Sequence, residues 1–252
     1  STTPMTVEAV LVTFLSLFFI PSSEPDFPRP LPGDAEFMRM NYPRAEALYD
    51  STLVFNADSA GILWRLARLY VCKGDVAGEE SQHEIYLQAE GFARRSIAAD
   101  SMQAAGYTWL AAALGSRAMR EGSRNKVQLC NEIKRVLDIA VTLDSTDDVA
   151  YSIMGSFYLA LGNISWIERQ LAAVFIGRVP SGGYAEAEPA LDRAVRLAPE
   201  IIRHRYEIGL LYEAMERREE AREAFRRSTE LVPQLASDAH TQQLAREWLE
   251  KH

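Results

Sequence analysis

A histidine and a carboxylate one helical turn apart can share a metal ion, and in this chain of 252 residues Glu79 and His83 stand so, with Glu80 and Glu84 beside them. Isolated pairs of this kind are common on exposed helices, so no metal site and no cofactor are expected. His204 stands between Arg203 and Arg205 and reads as part of a solvated helix face. Asp144, Asp147 and Asp148 precede a helix in LDSTDDVAY, where capping and dipole compensation account for them. The glycine of a calcium loop is missing there. Ser123 and Lys126 match S-x-x-K by coincidence, and no G-x-S-x-G, P-loop or dinucleotide glycine motif occurs. The two cysteines, Cys72 and Cys130, sit in helix-like runs, which speaks against a disulfide framework or a cysteine zinc site. Asn163-Ile-Ser165 is a glycosylation triplet, meaningful only in a eukaryotic secretory route. No catalytic residue is expected, and the chain is read as non-enzymatic.

The elements that hold these residues repeat. Gly209, Tyr212, Ala221, Phe225 and Pro233 occupy tetratricopeptide positions, and Pro199 and Pro233 stand 34 residues apart, the period of that repeat. Glycine lets the neighbouring helix come close, the aromatics fill the space between helices, and proline stops the second helix. Earlier units show first-helix faces at Leu63/Leu66/Ala67/Tyr70, Tyr107/Leu110/Ala111/Leu114 and Tyr151/Met154/Gly155/Tyr158. Their second-helix faces are Ala89/Ala93/Ser96, Ile133/Leu137/Ala140 and Ala187/Leu191/Ala194. The exit positions Ser59, Ser101, Ser145, Pro199 and Pro233 are spaced by 42, 44, 54 and 34 residues, which places insertions in three units. Residues 39–58 supply an opening helix. Residues 236–251 supply a closing one, whose Leu244, Trp248 and Leu249 are expected to cover the last repeat face. No period-2 run is long enough for a strand. The expected fold is all-α: a tetratricopeptide-like right-handed superhelix of antiparallel helix pairs with an inserted helix, about ten or eleven helices in all.

The first 33 residues differ in kind, so the expected division is 1–33 and 34–252. Residues 6–20 hold a 12-residue apolar stretch, shorter than the roughly 20 residues of a free-standing membrane span. It reads as a signal-like remnant, a membrane anchor, or a segment docked on the fold or on a partner. Five prolines in residues 21–33 make an extended linker or strap.

The long insertion, residues 162–184, carries Trp166-Ile-Glu-Arg169, Phe175-Ile-Gly177 and Pro180, followed by Tyr184-Ala-Glu-Ala187. This pattern resembles the regulator of microtubule dynamics family, most strongly over about residues 146–232. The resemblance implies a tetratricopeptide-like helical domain and, in several members, an N-terminal membrane anchor. It carries over no catalytic residue, and nothing in these residues marks a tubulin-binding surface. Trp166 and Phe175 belong to one side of a short insertion helix.

Function is expected on the concave face, lined by the first helix of each unit. The lining residues singled out are Trp64, Arg68, Thr108, Ala112, Ser152, Ser156, Arg203, Tyr206 and Leu210. Small side chains in the middle units suit a helix, an extended peptide or an acyl chain, and Arg68 and Arg203 suit a carboxylate or phosphate. A channel already filled by the chain's own strap or inserted helix fits the same pattern. The net charge of −8 excludes general nucleic-acid binding. The expected function is a protein–protein interaction scaffold, membrane-associated or exported (periplasmic side if bacterial), with membrane contact through residues 6–20. The alternative is a carrier of a lipid or other apolar small molecule.

Overall fold

The computed structural model describes residues 30–55, 59–119 and 122–252, apart from the side chains of Ser123, Trp166, Ile167, Leu171 and Phe175. The apolar run 6–20 and the side chains of Trp166 and Phe175 therefore lie outside the described residues. Residues Leu31–His252 form one compact unit. Among the described residues it holds twelve helices and no strand. They are α1 (Pro32–Met38), α2 (Tyr42–Phe55), α3 (Ser59–Val76), α4 (Glu79–Ala99), α5 (Ala104–Ala118) and α6 (Ser123–Leu143). The chain continues through α7 (Asp148–Gly162), α8 (Trp166–Phe175), α9 (Tyr184–Leu197), α10 (Ile202–Ala214), α11 (Arg218–Glu230) and α12 (Asp238–Lys251). Four hairpin pairs make the stack: α3 with α4, α5 with α6, α7 with α9, and α10 with α11. Each first helix also packs on the next unit's first helix.

The second helices bury nearly the same stripe. Ile133, Val136, Leu137 and Ala140 on α6 are all at most 3% exposed, at spacings i, i+3, i+4 and i+7. Ala187, Ala190, Leu191 and Ala194 on α9 repeat it, as do Ala221, Ala224, Phe225 and Ser228 on α11. That stripe is what one face of a 3.6-residue helix needs against a single partner. The first helices are buried more completely, because each touches its own partner and the elements stacked on either side of it. On α3, eleven of eighteen residues are buried, including Arg65.

Closeness within each pair depends on one small residue per first helix: Ala67, Ala111, Gly155 and Gly209, all buried. A Cβ on Gly155 would lie 2.3 Å from Cγ of Leu191, and one on Gly209 would lie 2.7 Å from the Phe225 ring. Both neighbours are fully buried and cannot retreat.

The extra residues of the first two units lengthen helices as well as loops, since α4 and α6 each run 21 residues. The third unit's insertion has its own construction. Ser165 and Glu168 form a capping box that starts α8, with Glu168 N–H on Ser165 Oγ at 3.3 Å and Ser165 N–H on Glu168 Oε2 at 2.8 Å. Arg169 donates to the carbonyls of Leu161, Pro180 and Gly182, tying both ends of the insertion together. Tyr184 Oη donates to Asn163 Oδ1 at 2.6 Å and closes its base.

The closing helix α12 lies on α11. Gln242 Nε2 donates to the Ser228 and Leu231 carbonyls at 3.0 and 2.9 Å, satisfying acceptors at the end of α11. The Trp248 ring centroid sits 4.7 Å from that of Phe225, and Leu249 packs beside it. Leu244 departs from expectation: it is 36% exposed, and Ala245 takes the buried position instead. The helix phase is set by the tight approach of Ala245 to Ala221 and Phe225.

Gly155→Val is expected to lower stability by upwards of about 2 kcal/mol, through overpacking against Leu191. Urea denaturation followed by circular dichroism measures it, and an unchanged midpoint would show that the pair can separate at no cost.

Candidate functional site: the inner face of the stack

Asp34, near the start of α1, organises the N-terminal end of this face. Its carboxylate accepts from Leu31 N–H at 2.9 Å, from Tyr49 Oη at 2.7 Å and from Arg65 Nε at 2.8 and 3.1 Å. Arg68 Nη2 donates to Tyr49 Oη at 3.1 Å and lies 3.4 Å from Asp34 Oδ1. The Arg68 guanidinium sits 3.8 Å above the Phe37 ring centroid and 5.2 Å from that of Trp64. Gly33 makes this docking possible, since a Cβ there would fall 2.5 Å from the Tyr49 ring. Burial pushes the Asp34 carboxyl up, but hydrogen bonds from Arg65, Leu31 N–H and Tyr49 outweigh it and hold the group below the usual carboxylate value. Burial, and then the hydrogen bond to Asp34, push the Tyr49 phenol well above its usual value.

Arg68 is thus covered by Phe37 of the chain's own α1, and the Trp64 ring, 8% exposed, lies against the Arg65 and Arg68 guanidiniums. Thr108 is 1% exposed, and its Oγ1 donates to Asp147 Oδ2 at 2.6 Å. Asp147 also accepts Ala150 N–H at 2.9 Å as the N-cap of α7. Burial raises its carboxyl above the usual range. Ser152 is 3% exposed, and Ser156 Oγ donates to the Ser152 carbonyl at 3.0 Å. Ala112 packs beside the buried Val71, Ala89 and Ala113. In the middle of the inner face Thr108 and Ser152 are therefore buried in the chain's own packing, while Ala112 and Ser156 stay partly exposed.

The C-terminal end differs. Arg203 has a side chain 51% exposed, 3.6 Å from Asp75 and 3.8 Å from Glu207. Tyr206 is half-buried, its ring 5.5 Å from that of Phe225, and Leu210 is half-buried beside it. Arg203 and Tyr206 line a cavity of about 210 Å³ that also receives Asp75, Tyr86 and His240. Asp75 belongs to α3 and Arg203 to α10, so the first and last repeats meet here. Ala236 N–H donates to Tyr42 Oη at 3.2 Å in the same closure.

Sequence reasoning missed the Asp34–Arg65 pair. Arg65 lies 31 residues from its partner, and only the docking of α1 brings them together. His204 is corrected too. It is 2% exposed, with Nε2 2.7 Å from Asp148 Oδ2, because α10 turns this side chain into its contact with α7. Burial raises the Cys72 thiol to about 12, leaving it an unreactive core group at neutral pH.

Four helix pairs stacked through small residues, with a capping helix at the end, define a tetratricopeptide-type repeat protein. Residues 34–252 match the family model described as Regulator of microtubule dynamics protein 1-3, and the chain belongs to that family. Regulator of microtubule dynamics protein 2 of Rattus norvegicus is 30% identical over 126 residues, covering 50% of this chain and 31% of that protein. Regulator of microtubule dynamics protein 1 of Mus musculus is 25% identical over 157 residues, covering 61% of this chain and 52% of that protein. The chain thus spans about a third to a half of the length of these curated relatives. A crystal structure of a thermophilic tetratricopeptide-repeat protein from Thermus thermophilus superposes with a TM-score of 0.60 at 19% identity, covering 85% of this chain and 95% of that one. At that identity the likeness speaks for the fold alone.

Asp34→Ala removes the carboxylate that Leu31 N–H, Tyr49 and Arg65 Nε share and is expected to cost about 3 kcal/mol. The sign of the pH effect follows from the lowered carboxyl. Its contribution is complete above the unfolded value near about 4 and is lost as pH falls through the lower folded value. Denaturation of wild type and Asp34→Asn between acid and neutral pH checks this. The gap between them should narrow toward acid, and a gap that widens there contradicts the assignment.

Proposed function

We propose that this chain is a non-enzymatic protein–protein interaction scaffold that receives a partner protein or peptide in or around the inner groove. The fold is one whose stacked first helices present a continuous face. The observation that carries the reading is the contrast between the two ends of that face. At one end α1 already lies on the inner face, with Asp34 on two arginines and Phe37 under Arg68. At the other end the Arg203 side chain is 51% exposed, and Tyr206 and Leu210 are half-buried. The docking of α1 illustrates how a helix with an acidic first turn and an aromatic one turn later fits this kind of surface.

A membrane tether belongs to the same proposal. The tether proposed is the apolar run within residues 6–20; no helix among the described residues is long and apolar enough to cross a membrane. Such a tether would make the protein membrane-associated, or exported and held at a membrane complex. The lipid-carrier reading draws less support. Thr108, Ala112 and Ser152 are packed against the chain's own atoms. The cavity at Arg203 is also smaller than the roughly 300–1,000 Å³ of typical small-molecule sites.

A photocrosslinking residue in place of Tyr206 is expected to trap a partner protein in cells, whereas the same residue at Glu84 on the exposed side of α4 is not. Adducts at 84 and none at 206 would move the interface off the inner face. Deleting residues 6–20 should shift the protein from the membrane pellet to the supernatant. An unchanged partition would remove the tether from the proposal.

A further inference from the structure

Successive second helices leave furrows on the outer side of the stack, and the chain treats them differently. Between α4 and α6, Arg94 crosses the furrow and grips Glu132 with two nitrogens at 2.8 and 3.0 Å. Along α6, the insertion supplies its own cover: Asn131 Nδ2 donates to the Arg178 carbonyl at 3.1 Å, and Val179 packs onto the core. Between α9 and α11 the furrow stays open as a groove of about 780 Å³. Arg217 closes one end of it, reaching Glu188 at 2.6 Å with its guanidinium 4.4 Å from the Tyr212 ring centroid.

The floor of this groove is α10, which presents Ile208 and Tyr212, with Val195 of α9 on one wall. Its lining carries five carboxylates against two arginines. Glu223 and Glu230 pair with Arg226 and Arg227, but Asp192 and Glu219 have no ion-pair partner among the described residues. From Glu219 to Glu230 the α11 wall runs about 16 Å, room for about three helical turns. We infer that this outer groove docks a basic amphipathic helix of a partner protein, its apolar stripe on Val195, Ile208 and Tyr212 and its lysines or arginines against Asp192 and Glu219. The apolar floor provides the burial, and the excess of carboxylates selects the charge of the occupant. This surface is separate from the inner face, so either can fail while the other stands.

Fluorescence anisotropy of the full chain with a labelled synthetic helix tests it. The probe is a peptide of about 16 residues, matched to about four helical turns, with leucines along one face and lysines flanking them; the control replaces every lysine with glutamate. The lysine peptide should bind, and more weakly as salt is raised. Its binding should fall about ten-fold or more in Val195→Arg. It should also fall in Asp192→Lys/Glu219→Lys, which adds no bulk to the floor and guards against misfolding of the first variant. Binding should be unaltered in Glu84→Lys. Equal binding of the glutamate peptide, no binding of either peptide, or an equal loss in Glu84→Lys would each overturn the inference. So would a dimer, seen by sedimentation, that Val195→Arg dissolves, since a second copy would then be the occupant.

Discussion

The architecture rests on how closely two helices of a pair can approach. At Gly155 the space where a Cβ would stand is taken by Leu191, and at Gly209 by the Phe225 ring. With that distance set, the stripe on each second helix can be short and uniform. Alanines and a few leucines fill it, and the pair has no slack to absorb a larger side chain. Deep burial of the first helices follows, because each is pressed by its partner and by the elements stacked on either side of it.

Burial of that extent creates an electrostatic problem at the start of the stack, and α1 resolves it. Arg65 is 4% exposed, and a charge at such a site needs a partner with several hydrogen bonds. Asp34 provides it, held in turn by Tyr49 and by the backbone of Leu31. The same short helix lays Phe37 against Arg68. The inner face is therefore asymmetric, closed by the chain at its first repeat and lined by half-buried residues at its last. The meeting of Asp75 with Arg203, and of Tyr42 with Ala236, joins the two ends of the stack.

The insertion that identifies the family is built as structure. Glu168 caps its helix, Arg169 ties three carbonyls across it, Tyr184 closes its base, and Glu186 accepts the Gly183 N–H at 2.8 Å. Glu168, Arg169 and Glu186 satisfy backbone groups that would otherwise be left unpaired at the edges of an irregular loop, and Tyr184 binds the Asn163 side chain. The segment that follows covers the outer side of α6, whereas α9 and α11 receive no such cover among the described residues. The outer surface thus varies along a stack whose inner packing is nearly uniform.

The repeat, its all-helical class and the buried stripes of the second helices were legible in the sequence, whereas of Tyr151, Met154, Gly155 and Tyr158 only Gly155 is buried. The spacing of Gly209, Tyr212, Ala221, Phe225 and Pro233 is a local pattern that hydrophobic periodicity imposes on any chain folding this way. The resemblance over residues 146–232 was equally visible, because its motif residues serve contacts within one insertion. The fate of the inner face was not legible. Trp64, Arg68, Thr108 and Ser152 occupy lining positions by register, yet whether a lining residue meets solvent depends on helices arriving from elsewhere in the chain. Asp34 and Arg65 are 31 residues apart, His204 and Asp148 are 56 apart, and Tyr42 and Ala236 are 194 apart. Periodicity determines which side of a helix is apolar. Only the tertiary arrangement decides which charges meet, which furrows are filled, and where a surface is left for another molecule, because those outcomes depend on contacts whose distance along the chain leaves no local trace.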